Sequence, residues 1–152
     1  MSPSIEQIRP FALSDRDACL GVFDSNTPAY FDTAERAAFG DYLECSAPGY
    51  YVLEREARIV ACGGYALQAD GNNASLCWGM VAHGLHGQGL GRLLTEARLA
   101  VLRGLPQIAA VHISTSQHSQ GFYTGLGFVV VKIIADGHGP GLDCWDMRLA
   151  LR

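Results

Sequence analysis

Apolar and polar positions change their period several times along this chain, and each change marks an element. Residues 5–11 alternate loosely, which predicts a first strand. Ser14-Asp15-Arg16-Asp17 resembles a helix cap with an acid in the first turn, and predicts a helix running to about Ser25. Thr33 is a candidate cap for a second helix through Glu44, stopped by the turn formers at 46–49. Three strand-like runs follow, at 50–55, 58–68 and 74–82, joined by turns at 56–57 and 70–73; such short joints predict an antiparallel meander. After them Leu90, Leu93, Leu94, Ala97 and Val101 fall at helical spacing, ended by Gly104 and Pro106. Residues 108–115 predict a fifth strand, parallel to the fourth if the helix crosses over between them. A short helix at about 117–126 ends at Gly127. Strands at 128–135 and 144–151 flank a glycine- and proline-rich excursion at 136–141. No repeat or linker interrupts the series, which predicts one mixed α/β domain spanning residues 1–152.

The segment between the fourth strand and its helix carries the most chemistry. Gly87, Gly89 and Gly91 lack the β-carbons that keep a ligand away from a backbone. The helix behind them opens with unpaired N–H groups and the positive end of its dipole. Together they predict an anion site, for a phosphate or diphosphate. A P-loop would close this turn with Gly-Lys-Ser/Thr, whereas the chain has Gly91-Arg92-Leu93. A dinucleotide fold would place GxGxxG early in a parallel βαβ unit, with an acid about 20 residues on. The spacing and the preceding hairpins here do not match it.

Composition narrows the classes. The chain has 152 residues, 49% of them hydrophobic and 17% charged, with a formal net charge of −4. That balance, with scattered basic residues, argues against nucleic acid as a partner. No apolar run reaches the ~20 residues of a membrane span, and the N-terminus lacks a signal-peptide pattern; the expectation is a soluble, cytoplasmic protein. Five cysteines without CxxC spacing predict reduced thiols, with Cys62 and Cys77 as possible neighbours on adjacent strands. The histidines form no metal-binding cluster, so no metal site is expected.

His86-Gly87-Gln88-Gly89-Leu90-Gly91 resembles the Q/R-x-x-G-x-G/A signature of the GNAT superfamily of acyl-CoA N-acyltransferases. Val81 stands where that family's fourth strand ends, and Tyr123-Thr124-Gly125-Leu126-Gly127-Phe128 is similar to its Y-x-x-x-G-F signature. The order of elements matches over essentially the whole chain. The resemblance implies a mostly antiparallel sheet of about seven strands, flanked by about four helices, with a V-shaped splay between strands four and five. It implies acetyl-CoA as donor, used by direct attack in a ternary complex. Residues Gly87, Gln88, Gly89, Leu90, Gly91 and Arg92 would cradle the diphosphate, with His86 in place of the usual arginine or glutamine. The backbone of Met80, Val81, Ala82 and His83 would run beside the pantetheine. Ser116 and Ser119 replace the asparagine and alanine of many relatives near that arm.

The same resemblance makes Tyr123 the proton donor to the departing thiolate. Many relatives carry a glutamate on the fourth strand as base, but residues 75–82 contain no acid. His112 on the fifth strand is the first alternative, sharing a strand face with Ser114; Glu54, Asp24 or a water chain remain open, as does a structural role for His112. Phe23, Asn26, Tyr30, Phe31, Trp78 and the 136–143 segment are expected around the acceptor, where Asp24, Asp32 and Asp143 could attract an ammonium. Trp78 and Met80 could line the acyl pocket, although a core role is the default for either. His118 and Ser119 lack the elbow of a hydrolase. The acceptor expected first is a small-molecule amine. A protein N-terminus or lysine, or a non-catalytic acyl-CoA sensor, is the alternative, in a monomer or a homodimer.

Overall fold

The structure is a computed structural model that describes residues 6–27, 31–45 and 49–152. Its strands are β1 (Glu6–Pro10), β2 (Tyr50–Arg55), β3 (Arg58–Leu67), β4 (Asn73–Val81), β5 (Ala110–Thr115), β6 (Val129–Gly139) and β7 (Leu142–Ala150). The helices are α1 (Arg16–Ser25), α2 (Arg36–Glu44), α3 (Leu90–Arg103) and α4 (Gln120–Gly125). Among the described residues the strands form one sheet in the order β1-β2-β3-β4-β5-β7-β6. Every neighbouring pair is antiparallel except β4 and β5. No helix among them is long and apolar enough to cross a membrane.

Alternation along the strands divides the interior. Val52 and Cys62 join Phe23, Phe39 and Leu43 beneath α1 and α2. Their chain neighbours Leu53 and Ala61 face the other way, against Leu90 and Leu94 of α3. A third cluster packs Leu99 and Leu102 of α3 with β4, β5, β7 and Tyr123 of α4. The sheet is therefore covered on both faces, and its two halves meet at the β4–β5 seam.

That seam closes at only one end. Parallel pairing joins Asn73 to Ala110, Ala74 to Val111 and Ser75 to His112, and goes no further. Just beyond, β4 carries an extra residue against β3: Cys62 pairs with Met80 and Gly64 with Cys77, so Gly63 faces both Trp78 and Gly79. Trp78 takes a positive φ of 48°, a conformation a bulky residue holds only where its surroundings impose it. The buried Tyr50 hydroxyl supplies that constraint, donating to the Trp78 carbonyl at 2.7 Å. A bulge bends and twists its strand, and here it coincides with the opening between β4 and β5.

Several local expectations need correction. Ser14 does not cap α1; a 3-10 turn at Leu13–Asp15 comes first, and the Asp15 carboxylate accepts the Ala12 N–H at 2.8 Å. The cap of the next turn is Asp32, accepting from the Ala34 N–H, rather than Thr33. At the second turn the short Asp32 side chain serves the first free amide, whereas at the first the Asp15 carboxylate turns back to the Ala12 amide and α1 has no side-chain cap. The fourth helix is shorter than expected, starting at Gln120. The supposed excursion at 136–141 is the end of a hairpin: Asp136 accepts the Gly141 N–H, Asp143 accepts the Asp136 N–H, and pairing continues to Gly139 and Leu142. Cys62 and Cys77 are on adjacent strands but not across from each other: Cys62 pairs with Met80 and Cys77 with Gly64.

The stripe expected on α3 is also rotated. Leu93 and Val101 are exposed, whereas Leu90, Leu94, Thr95, Arg98, Leu99 and Leu102 are buried. A charged residue on the inner face masks the true period.

Candidate active site

The turn after β4 is built to leave amides free. Gly87 and Gly89 both hold φ at 81°, a left-handed backbone that glycine adopts without strain. The His86 ring bonds back to the Val81 carbonyl at 2.9 Å, closing the approach to the turn. Gly89 stands at the N-terminal cap position of α3, with no side chain to satisfy the first amides. Among the described residues no backbone carbonyl pairs with the N–H of residues 87–92. These six donors, at the positive end of a 14-residue helix, can bind an anion. A β-carbon at Gly91 would meet Val81 at 3.4 Å and Phe122 at 3.7 Å, ordinary contact distances, so the conformational demand of the turn falls on Gly87 and Gly89.

The turn opens into a cleft of about 780 Å³ running between β4 and β5, with α3 and α4 beside it. Met80, Val81, His86, Gly87, Gly89 and Leu90 form part of its wall, as do Gly91, Arg92, Ser116, Ser119 and Tyr123. Gln88 is turned aside, accepting a bond from Arg55 at 2.7 Å. Ala82 and His83 lie off the cleft, by a smaller depression near Arg55 and Arg58. Their backbone N–H groups are committed to the Val60 carbonyl and the Ser25 hydroxyl. Ser116 is buried; its Oγ accepts the His118 N–H and its carbonyl accepts the N–H groups of Ser119 and Gln120, so it secures the start of α4.

At the inner end stands Tyr123, 7% exposed and edge-on to Phe128 at 5.6 Å. Burial pushes its phenol above the ordinary value, and the facing guanidinium of Arg98 opposes that shift. Arg98 is itself only 2% exposed. It fits because the bulge region is bare: β-carbons on Gly63 and Gly79 would come within 3.0 Å and 3.1 Å of its guanidinium. Nη1 donates to the Gly64 carbonyl at 3.0 Å and Nη2 to the Thr95 hydroxyl at 3.1 Å, while Nε has no acceptor among the described residues.

The segment before α2 and the β6–β7 hairpin also border the cleft. Asp32 stands against Gly139, and Glu35 Oε1 lies 3.8 Å from His138 Nδ1. Burial raises the Glu35 carboxyl above the ordinary carboxylate value, opposed by His138. The Thr115 carbonyl, 3.0 Å from His138 Nε2, can only accept, so that nitrogen carries the proton and Nδ1 faces Glu35. Both side chains border the cleft. Phe31, Trp78 and Asn26 border it too, although Asn26 is 2% exposed and spends its amide on the carbonyls of Val22 and Val81. Phe23 is fully buried between Phe31 and Phe39 and is a core residue. Tyr30 lies outside the described residues.

The bases expected from sequence are placed unevenly. His112 borders the cleft, with its ring bonded to Asn73 Oδ1 at 3.1 Å. Glu54 is paired to Arg9 and Asp24 to Arg36, both away from the opening. The Asp143 carboxylate is taken by the hairpin turn. Glu35, His138 and Arg98 carry no motif, and only the fold brings them to one cavity. A charged residue at an inner position of α3 was the one available signal for Arg98.

A sequence model described as the acetyltransferase (GNAT) family matches residues 19–128. No curated protein matches the chain. Among solved structures, Ard1 from Thermoplasma volcanium superposes with a TM-score of 0.80 at 16% identity, over 95% of this chain and 97% of its own. The ribosomal-protein-S18-alanine N-acetyltransferase from Escherichia coli gives 0.78 at 18%, over 97% and 94%. The GphF GNAT-like decarboxylase, solved with isobutyryl-CoA, gives 0.78 at 22%, over 96% and 100%. At these identities the structures share a fold. The family match covers well over half of the sequence and includes the glycine turn and Tyr123, and by it the chain belongs to the acetyltransferase (GNAT) family.

Proposed function

We propose that this protein moves an acyl group, acetyl in the simplest case, from a coenzyme A thioester to a primary amine of a small molecule. The observation that carries the reading is the run of unpaired amides at 87–92 opening onto a cleft that ends at Tyr123. When bound, the thioester supplies an activated carbonyl. Residues 87–92 hold the diphosphate by their N–H groups. Tyr123 keeps a proton on its phenolic oxygen at the inner end, for the departing thiol. A phenol ordinarily near pKa 10 is a usable donor to a thiolate near 8.5 where the geometry is fixed.

His138 takes the proton of the attacking amine at Nδ1, and Glu35 at 3.8 Å stabilises the resulting cation. His112 is the weaker candidate, because its ring is held at the closed end of the seam. The contact of Asp32 with Gly139 roofs the acceptor end and favours a small acceptor over a protein segment.

Titration with coenzyme A and with acetyl-CoA tests the donor site, and release of free thiol with a panel of amines tests the transfer. Micromolar uptake and amine-dependent thiol release are expected. The Tyr123→Phe variant should lose at least tenfold in turnover with its affinity for the coenzyme kept. Absence of coenzyme uptake by the folded protein overturns the reading.

A further inference from the structure

Arg98 is the most buried arginine described, and its charge has no partner of opposite sign. Arg9, Arg16, Arg36, Arg55 and Arg92 each stand within 4.0 Å of a carboxylate. Arg58, Arg103, Arg148 and Arg152 lack one, and all four are exposed to water. Arg98 is only 2% exposed and, among the described residues, meets no carboxylate but a carbonyl, a hydroxyl and the Tyr123 phenol. A guanidinium keeps its proton in a protein and offers five N–H donors in a rigid fork. Neutral acceptors take two of these and Nε has none.

Its position gives this imbalance a purpose. The side chain reaches the cleft wall at the Trp78–Gly79 bulge, beside Tyr123, where the β4–β5 opening ends. Three glycines, at 63, 64 and 79, border the guanidinium or accept its bond. The backbone thus leaves a slot that holds a buried cation against the inner end of the cavity. A simple acetyl group has no charge to offer it.

We propose that Arg98 forms a carboxylate subsite, so that one of the two reactants carries a carboxylate to the inner end of the cleft. The subsite deepens the coenzyme A reading above and rests on it. The carboxylate can arrive on the donor, as the free end of a dicarboxylic acyl group, or on the acceptor, as the acid group of an amino acid. In either case it approaches the guanidinium from the cleft that Arg98 lines and neutralises it.

Wild-type protein decides this without a variant. Binding of acetyl-, malonyl- and succinyl-CoA is measured by calorimetry. Turnover is measured with acetyl-CoA on α-amino acids against their amides. A preference of at least tenfold for the carboxylated donors places the group on the acyl chain; the same preference for the amino acids places it on the acceptor. Arg98→Met should abolish whichever preference exists, with coenzyme A affinity unchanged, and Arg98→Lys should restore part of it. Indifference to the carboxylate in both arms of the wild-type experiment overturns the subsite. Loss of coenzyme A uptake itself is the separate failure that would remove the underlying reading.

Discussion

Two arginines in this fold show what pairing does to a charge. Arg9, on β1, grips Asp15 through both nitrogens at 2.7 Å and 2.9 Å and reaches Glu54 on β2 at 2.6 Å. Its charge is answered twice over, which raises its proton affinity further and depresses that of Asp15. Arg98, on α3, sits deeper and is answered by no carboxylate at all. The first cluster ties the N-terminal strand to the start of α1 and has no path to the cleft. The second borders the cleft. Removing one member of an answered, partly buried pair strands the other, whereas a buried charge with no carboxylate beside a cleft leaves room for a partner from outside.

The largest effect should come from breaking each side of this contrast by the same change. Arg98→Met removes a buried charge without stranding a carboxylate, and the Gly64 carbonyl and Thr95 hydroxyl lose only one bond each, so folding stability should shift by about 1 kcal/mol. Turnover with the carboxylated reactant should fall roughly 10²-fold, as expected for truncating one member of a buried charge pair. Arg9→Met strands Asp15 and should cost about 2 kcal/mol, below the usual range for a buried pair because Arg9 is partly solvated. Turnover of the folded Arg9 variant should match wild type. Chemical denaturation beside steady-state kinetics checks both. If the two variants lost stability equally, the contrast would collapse and Arg98 would become a structural residue.

A smaller effect separates the clusters by pH. The guanidinium of Arg9 and the Ala12 amide hold the Asp15 carboxyl below its ordinary value of about 3.8. A depressed carboxylate contributes its full stability above that value and loses it as pH falls toward the depressed one. Wild type should therefore lose stability below about pH 4, and Arg9→Met should lose less over that interval. Arg98→Met should retain the whole acid dependence of wild type. An unchanged acid slope in Arg9→Met would remove Asp15 as the group responsible.

How much of this was legible in the sequence follows from what each feature depends on. The order of elements along the chain and the glycine turn rest on local periodicity and spacing, and they could be read directly; Tyr123 was singled out through the family resemblance. The β4–β5 opening was expected only through family resemblance. Its physical cause, a bulge at Trp78 held by the Tyr50 hydroxyl, joins strands far apart in the chain. Glu35 and His138 meet only because the hairpin folds over the start of α2. Arg98 was hidden by the rule that reads charged positions as solvent-facing, which placed the helical stripe on Leu93 and Val101 instead. Asp24 and Glu54 were plausible bases by residue type alone, and arginine partners on other elements commit them elsewhere.

The smallest effect concerns a third arginine, which has pairing without burial. Arg36 holds Asp24 by two bonds, at 2.8 Å and 3.1 Å, a geometry as good as that of Arg9. Both side chains are about half exposed, at 51% and 47%. In water the attraction is screened and the ordering of two long side chains offsets most of it, so exposed pairs contribute little. Arg36→Gln should leave the melting temperature unchanged within error, in low salt as in high. Geometry alone would predict a loss comparable to that of Arg9→Met. A loss of that size would show that bond count, not burial, sets the worth of these pairs, and the argument that singles out Arg98 by its depth would lose its footing.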